Sequence, residues 1–165
     1  MSSKSFNFAQ SLNPSKIKES ERNSFKPKIT IYSKEDDTRL LLKTILEIWG
    51  FVVDEADCVR RLSAGFEREK SDLIIFDFSF PFDEYLKTIS EIRKELVFIK
   101  VPIIGISGFA QSGYRALAIA GGADEYLVKP VDFDQLKELL KDHLQNDFDL
   151  DAQIGVIEPL SGGKH

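Results

Sequence analysis

Leu73, Ile74, Ile75 and Phe76 form an unbroken apolar run that ends on Asp77, and Pro81 follows four positions later. A strand with one wet face alternates apolar and polar residues; a run without alternation suits a central strand covered by helices on both faces. Closing such a strand with an acid is costly unless the carboxylate reaches solvent, a metal or a cation. In open α/β sheets, ligands sit at the carboxyl ends of the strands. Asp77 is therefore the first functional candidate, with a capping or loop aspartate as the plain alternative.

The same grammar recurs from Lys28 onward. Strands are expected over 28–33 (KITIYS), 51–55 (FVVDE), 72–77, 101–106 (VPIIGI) and 124–128 (DEYLV). Helical spacing fills the gaps between them. Leu41, Leu42, Ile45, Leu46 and Trp49 make one face, stopped by Gly50 as a C-cap. Val59, Leu62 and Phe66 mark a second helix, and Leu86, Ile89, Ile92 and Leu96 a third. Residues 111–120 form a fourth, closed by Gly121-Gly122, and Leu136, Leu139, Leu140 and Leu144 a fifth with Asp132 as N-cap. Strands alternating with helices imply βαβ units: an α/β fold with a doubly wound, five-stranded parallel sheet.

Outside this core the pattern fails. Residues 1–27 hold seven serines, and 1–28 carry six basic residues against two acidic ones, with Phe6, Phe8 and Leu12 among the few apolar anchors. That reads as a flexible basic leader, or as an arm gripping a partner. Residues 146–165 read as an acidic tail in which Ile154, Val156 and Ile157 pack locally at most. The domain itself is expected over 28–145. The terminal SGGKH lacks the spacing and the preceding strand of a phosphate loop.

Whole-chain composition narrows the function classes. A net charge of −5 argues against a nucleic-acid-binding surface. The single cysteine, Cys58, suits a reducing compartment. No run approaches the ~20 apolar residues of a membrane span, and a signal-peptide core is missing, so a cytoplasmic protein without membrane contact is expected. His143 and His165 make no credible metal site.

Polar residues fall just past each strand. The first strand ends at Ser33 and Lys34, with Glu35, Asp36 and Asp37 following; the third ends at Asp77, the fourth at Ser107 and the fifth at Lys129-Pro130. In a parallel sheet these ends share one edge, so a carboxylate, a hydroxyl and an ammonium converge. That trio suits phosphoryl transfer to Asp77, the carboxylate attacking while ammonium and hydroxyl bind the oxygens on which charge develops. Taken singly, Ser107 is also an ordinary turn hydroxyl and Lys129 an ordinary surface charge.

The segments DLIIFDFSFP, VPIIGISG and AGGADEYLVKPVDFDQL resemble the receiver domain of bacterial two-component response regulators, across roughly residues 28–145. The resemblance implies a chemotaxis-type, flavodoxin-like sheet of order 2-1-3-4-5. It implies Asp77 as phosphoacceptor, Ser107 as switch hydroxyl and Lys129 as the phosphate-contacting cation. Tyr126 matches the aromatic that turns inward with the switch, unless it is a half-buried strand tyrosine. The family's cis bond before the matching proline falls on Lys129-Pro130. The implied partners are a sensor histidine kinase or phosphotransfer protein and a downstream protein target. The fourth helix, fifth strand and fifth helix would be an output or homodimer face, carrying Tyr114, Arg115, Glu125, Lys137 and Lys141.

One departure from the family pattern stands out. The family places an acidic pair at the end of the first strand, the second acid being a direct Mg²⁺ ligand; here those places fall on Ser33 and Lys34. Mg²⁺ needs several hard oxygen ligands in a near-octahedral array. Glu35 comes one residue late, and Ser79 would offer only its backbone carbonyl. Mg²⁺ is therefore expected to bind weakly or not at all, leaving Asp77 as its main donor. Two outcomes compete: Lys34 pairs with Asp77, lowers its pKa and makes a phosphorylation-independent interaction module, or phosphorylation persists through Lys129 and Ser107. A flavin or dinucleotide enzyme would need a G-x-G-x-x-G loop after the first strand, which is missing, and a G-x-S-x-G hydrolase fails at Ser107-Gly108. Phe80 and Phe82, in the loop after Asp77, either dock a partner or pack onto the third helix.

Overall fold

A computed structural model describes residues 26–95, 98, 100–144 and 150–151. Within them, strands and helices alternate throughout. They are β1 (Lys28–Tyr32), α1 (Asp36–Ile48), β2 (Val52–Ala56), α2 (Val59–Arg68) and β3 (Leu73–Phe78), followed by α3 (Phe82–Lys94), β4 (Ile103–Ser107), α4 (Ser112–Gly121), β5 (Glu125–Val128) and α5 (Phe133–His143). All strand pairs are parallel and the sheet order is β2-β1-β3-β4-β5. The expected fold is the observed one.

The unalternated run of β3 is explained by its place in the middle of the sheet. Leu73 and Ile75 join one core with Leu42, Leu46 and Trp49 of the α1 side and Leu136 and Leu140 of α5. Ile74, Phe76 and Phe78 join the opposite core with Leu62, Phe66, Ile89, Ile92 and Ala118. Every residue of β3 is buried, so neither face needs polar side chains. β2, an edge strand, exposes Val52 and carries Asp54 and Glu55, which blunts that edge.

Local signals decide the helix ends. Gly50, at φ 92°, follows Trp49 and closes α1 in a conformation that a Cβ disfavours. Asp132 caps α5 by accepting the backbone N–H groups of Asp134 and Gln135. Some expectations need correcting. Leu41 is 55% exposed, because α1 seats on Leu42, Leu46 and Trp49 and turns its neighbour outward. β4 starts at Ile103 rather than Val101, since Pro102 has no N–H to give a ladder.

Packing also runs past residue 145. Leu150 is 3% exposed within the α1–α5 core, and the Asp151 carboxylate lies 2.9 Å from Lys141 Nζ. Leu96, the leader to residue 25 and the tail beyond 151 lie outside the described residues. No helix among the described residues is long and apolar enough to cross a membrane.

Candidate functional site

β3 delivers Asp77 to the carboxyl edge of the sheet beside the ends of β1 and β5. The side chain is 1% exposed, so its charge must be met by protein groups. Ser33 Oγ donates to Oδ2 at 2.7 Å. Lys129 Nζ lies 2.7 Å from Oδ1, its side chain 28% exposed. The ammonium meets Oδ1 as an ion pair at hydrogen-bonding distance. Burial pushes the Asp77 carboxyl above its ordinary value, and Lys129 and Ser33 pull it only part of the way back. The lowered pKa expected from pairing with Lys34 is therefore not what the structure has.

Ser33, itself 0% exposed, is wired on every side. Its N–H donates to the Ala56 carbonyl at 3.0 Å, its Oγ accepts the Glu35 N–H at 3.1 Å, and its carbonyl accepts from the Arg39 guanidinium. Arg39 also bonds Asp36 and lies 3.8 Å from Glu55. Thus α1 holds the β1–α1 loop in the shape that aims the Ser33 hydroxyl at Asp77. Sequence reasoning missed Arg39, since its principal acceptor is a backbone carbonyl that no side-chain pattern reveals.

Lys34 does not pair with Asp77. It is exposed, and its Nζ sits 5.1 Å from the ring centroid of Tyr85. Glu35, the residue before α1, is exposed and its carboxylate accepts from Thr38 Oγ1 at 3.3 Å. Tyr85 is 5% exposed, packs edge-on to Phe76 at 6.2 Å between centroids, and hydrogen-bonds with Ser79.

Ser107 reaches the same edge, opposite Phe78 in the ladder, but its hydroxyl turns elsewhere. It accepts the Phe109 N–H at 3.0 Å and is hydrogen-bonded with Tyr126, with no bond to Asp77. The Tyr126 hydroxyl donates to the Phe109 carbonyl at 2.8 Å, and the ring is 3% exposed. Burial raises its phenol pKa. Ser107 also places Lys129 through the backbone, its carbonyl accepting the Lys129 N–H at 2.7 Å, and the Lys129–Pro130 bond is cis. A second cis bond, Phe80–Pro81, was not expected. Beyond it Phe82 opens α3 and is buried at 6%, whereas Phe80 is 81% exposed.

The donors do not suit a divalent metal. Asp77 supplies the lone carboxylate and is already engaged by a hydroxyl and an ammonium, while Glu35 points to Thr38. No group of three or more His, Cys, Asp or Glu among the described residues could hold an ion. What the site offers is a buried carboxylate with one close cation and a fixed hydroxyl donor, and beside it a second lysine resting over the Tyr85 ring.

The family described as response regulator receiver domain matches residues 29–141. The KDP operon transcriptional regulatory protein of Escherichia coli is 31% identical over 113 residues, 68% of this chain and 49% of that protein. An uncharacterized 14.6 kDa protein of Leptolyngbya boryana is 29% identical over 70% of this chain and 88% of its own length. The chain thus spans about half the length of some curated relatives it matches. A response regulator structure from Thermotoga maritima, 28% identical, superposes with a TM-score of 0.65 over 74% of this chain and 100% of that one.

Proposed function

This chain belongs to the response regulator receiver family, and from that premise we propose that it relays a two-component signal by accepting a phosphoryl group on Asp77. The observation that carries the reading is the pairing of a buried carboxylate with Lys129 Nζ at 2.7 Å, at the ligand-binding edge of the sheet. An Asp77 oxygen attacks phosphorus, the bond from phosphorus to the donor nitrogen or oxygen breaks, and the donor leaves with that electron pair. Lys129 meets the charge on the transferred group. Ser107 then turns its hydroxyl from Phe109 toward the phosphoryl oxygens. The donor is a sensor histidine kinase or phosphotransfer protein. Magnesium binds weakly at most, and no step depends on it here.

The output surface is assigned to α4, β5 and α5, where Leu117, Ile119 and Val128 are exposed. The charges there are largely spoken for: Arg115 donates to the Tyr126 carbonyl, His143 faces Glu125 at 3.5 Å, and Lys141 pairs with Glu138 and Asp151. A downstream protein, or a second copy, would meet a face more apolar than its sequence suggests.

A second reading has its own support. Asp77 is shut in by Ser33 and Lys129, which suits a module that contacts partners without phosphorylation. Intact mass after incubation with acetyl phosphate, and with a phosphorylated histidine phosphotransfer protein, decides between the two. A phosphoryl adduct on the wild type that is lost in D77N supports the relay; no adduct from either donor overturns it.

A further inference from the structure

We propose that Lys34 is the resident counter-cation of a phosphoryl group on Asp77, moving from the ring of Tyr85 onto the anion and doing there what a divalent metal would otherwise do. This rests on Asp77 being the phosphoacceptor and deepens that reading.

Charge balance motivates it. In the resting site one carboxylate faces one ammonium, Lys129, and the pair is neutral. Phosphorylation replaces the carboxylate by an acyl phosphate bearing close to two negative charges at pH 7. Lys129 then balances about half of them. A second cation is needed, and the side chains at the site do not form a metal cage.

The cations near this edge are few. Arg39 is committed to the Ser33 carbonyl, to Asp36 and to Glu55, and Lys43 is paired with Glu55 at 2.9 Å. Lys34 alone of these has no carboxylate partner among the described residues; its Nζ rests 5.1 Å from the Tyr85 centroid. Tyr85 is a fixed resting place, packed against Phe76 and bonded with Ser79, and it lies near enough to Asp77 to feel its charge. An exposed cation–π contact is weak, whereas a charge-assisted bond to phosphoryl oxygens is strong, and the flexible lysine stem spans short moves. The arrangement also explains why Lys34 leaves Asp77 alone at rest. Ser33 and Lys129 already hold the carboxylate, and a third partner gains little until more charge arrives.

Beryllofluoride, which attaches to an aspartate carboxylate as a phosphoryl mimic, tests this on the full chain by ¹⁹F NMR. The adduct is expected on wild type in EDTA. K34A weakens its apparent affinity about tenfold or more, the loss expected for one charge-assisted contact, and K34R retains most of it. K34D loses the EDTA-resistant adduct and regains it in Mg²⁺. Lys34 is exposed, so the variants keep the fold, which unchanged melting temperatures verify. A wild-type adduct that forms only with Mg²⁺, or a K34A affinity equal to wild type, overturns the role of Lys34 while leaving Asp77 as acceptor. No adduct in any condition, together with no mass adduct from acetyl phosphate, overturns the acceptor reading itself.

Discussion

At the scale of single residues, the site is governed by the cost of burying Asp77. Its carboxyl is raised by desolvation, so just above the ordinary carboxylate value the native state still holds a proton that the unfolded chain has released. Between the ordinary carboxylate value and the raised one, stability therefore falls as pH rises. D77N, isosteric and neutral, removes the penalty: its melting temperature is expected above wild type at neutral pH, with the gap closing as pH falls through that window. A wild type that outmelts D77N at pH 7 would show that the Lys129 pair outweighs desolvation. S33A acts in the other direction. It deletes the hydroxyl donated to Oδ2 and leaves the Glu35 N–H without its acceptor, at a cost of about 1–3 kcal/mol. It also moves the Asp77 carboxyl further up, which ¹³C titration of the side chain reads directly.

Elements meet at a few close approaches that leave no freedom of choice. Between β3, β4 and β5, a Cβ on Gly105 would lie 2.8 Å from the Phe78 ring and 3.3 Å from the Glu125 carbonyl. G105A is expected to lose about 1–3 kcal/mol in urea unfolding, because Phe78 cannot retreat from Phe76 and Phe82, 4.8 and 5.0 Å away between centroids. Those same rings lead outward, through Phe82 to Phe109 and Tyr114, and so tie α3 to the loop that carries the Ser107 and Tyr126 contacts. At the opposite edge Arg93 plays the comparable part for α3, donating to the carbonyls of Phe98, Val101 and Gly122 and pairing with Asp124 at 2.7 Å. A displacement of α3 at the site is thereby resisted at its far end.

Across the whole molecule, the α1–α5 core closes with a residue beyond the repeating pattern. Leu150 packs with the cluster that includes Trp49, Phe51, Leu136 and Leu140. L150A is expected to cost about 2–5 kcal/mol, the range for a buried leucine reduced to alanine, and to lower the denaturation midpoint without changing the phosphoryl adduct on Asp77. A midpoint equal to wild type would place the end of the cooperative unit at α5. The aromatic switch region and the Asp77 site lie on the other side of β3 and at its end, so this core and the site are separable in effect.

Periodicity by itself determined the elements and their succession along the chain, while the sheet order was what the family resemblance implied. The apolar runs at β3 and β4 can be satisfied only between two helical layers, and the helices' 3.6-residue faces supply those layers. The convergence of Asp77, Ser107 and Lys129 on one edge was legible for the same reason, since parallel strands end together. Asp132 as cap and Gly50 as stop were legible because each acts on its own neighbours. What the tertiary structure decided were the directions of side chains at that edge. Lys34 turned to Tyr85 instead of Asp77, Ser33 took the carboxylate, and Ser107 turned to Phe109. Each is a choice among partners brought near by other segments, including backbone carbonyls, as with Arg39. Local patterns carry no information about which of several nearby acceptors costs least to reach, so these contacts, on which the chemistry of Asp77 depends, emerge only when the strands are placed side by side.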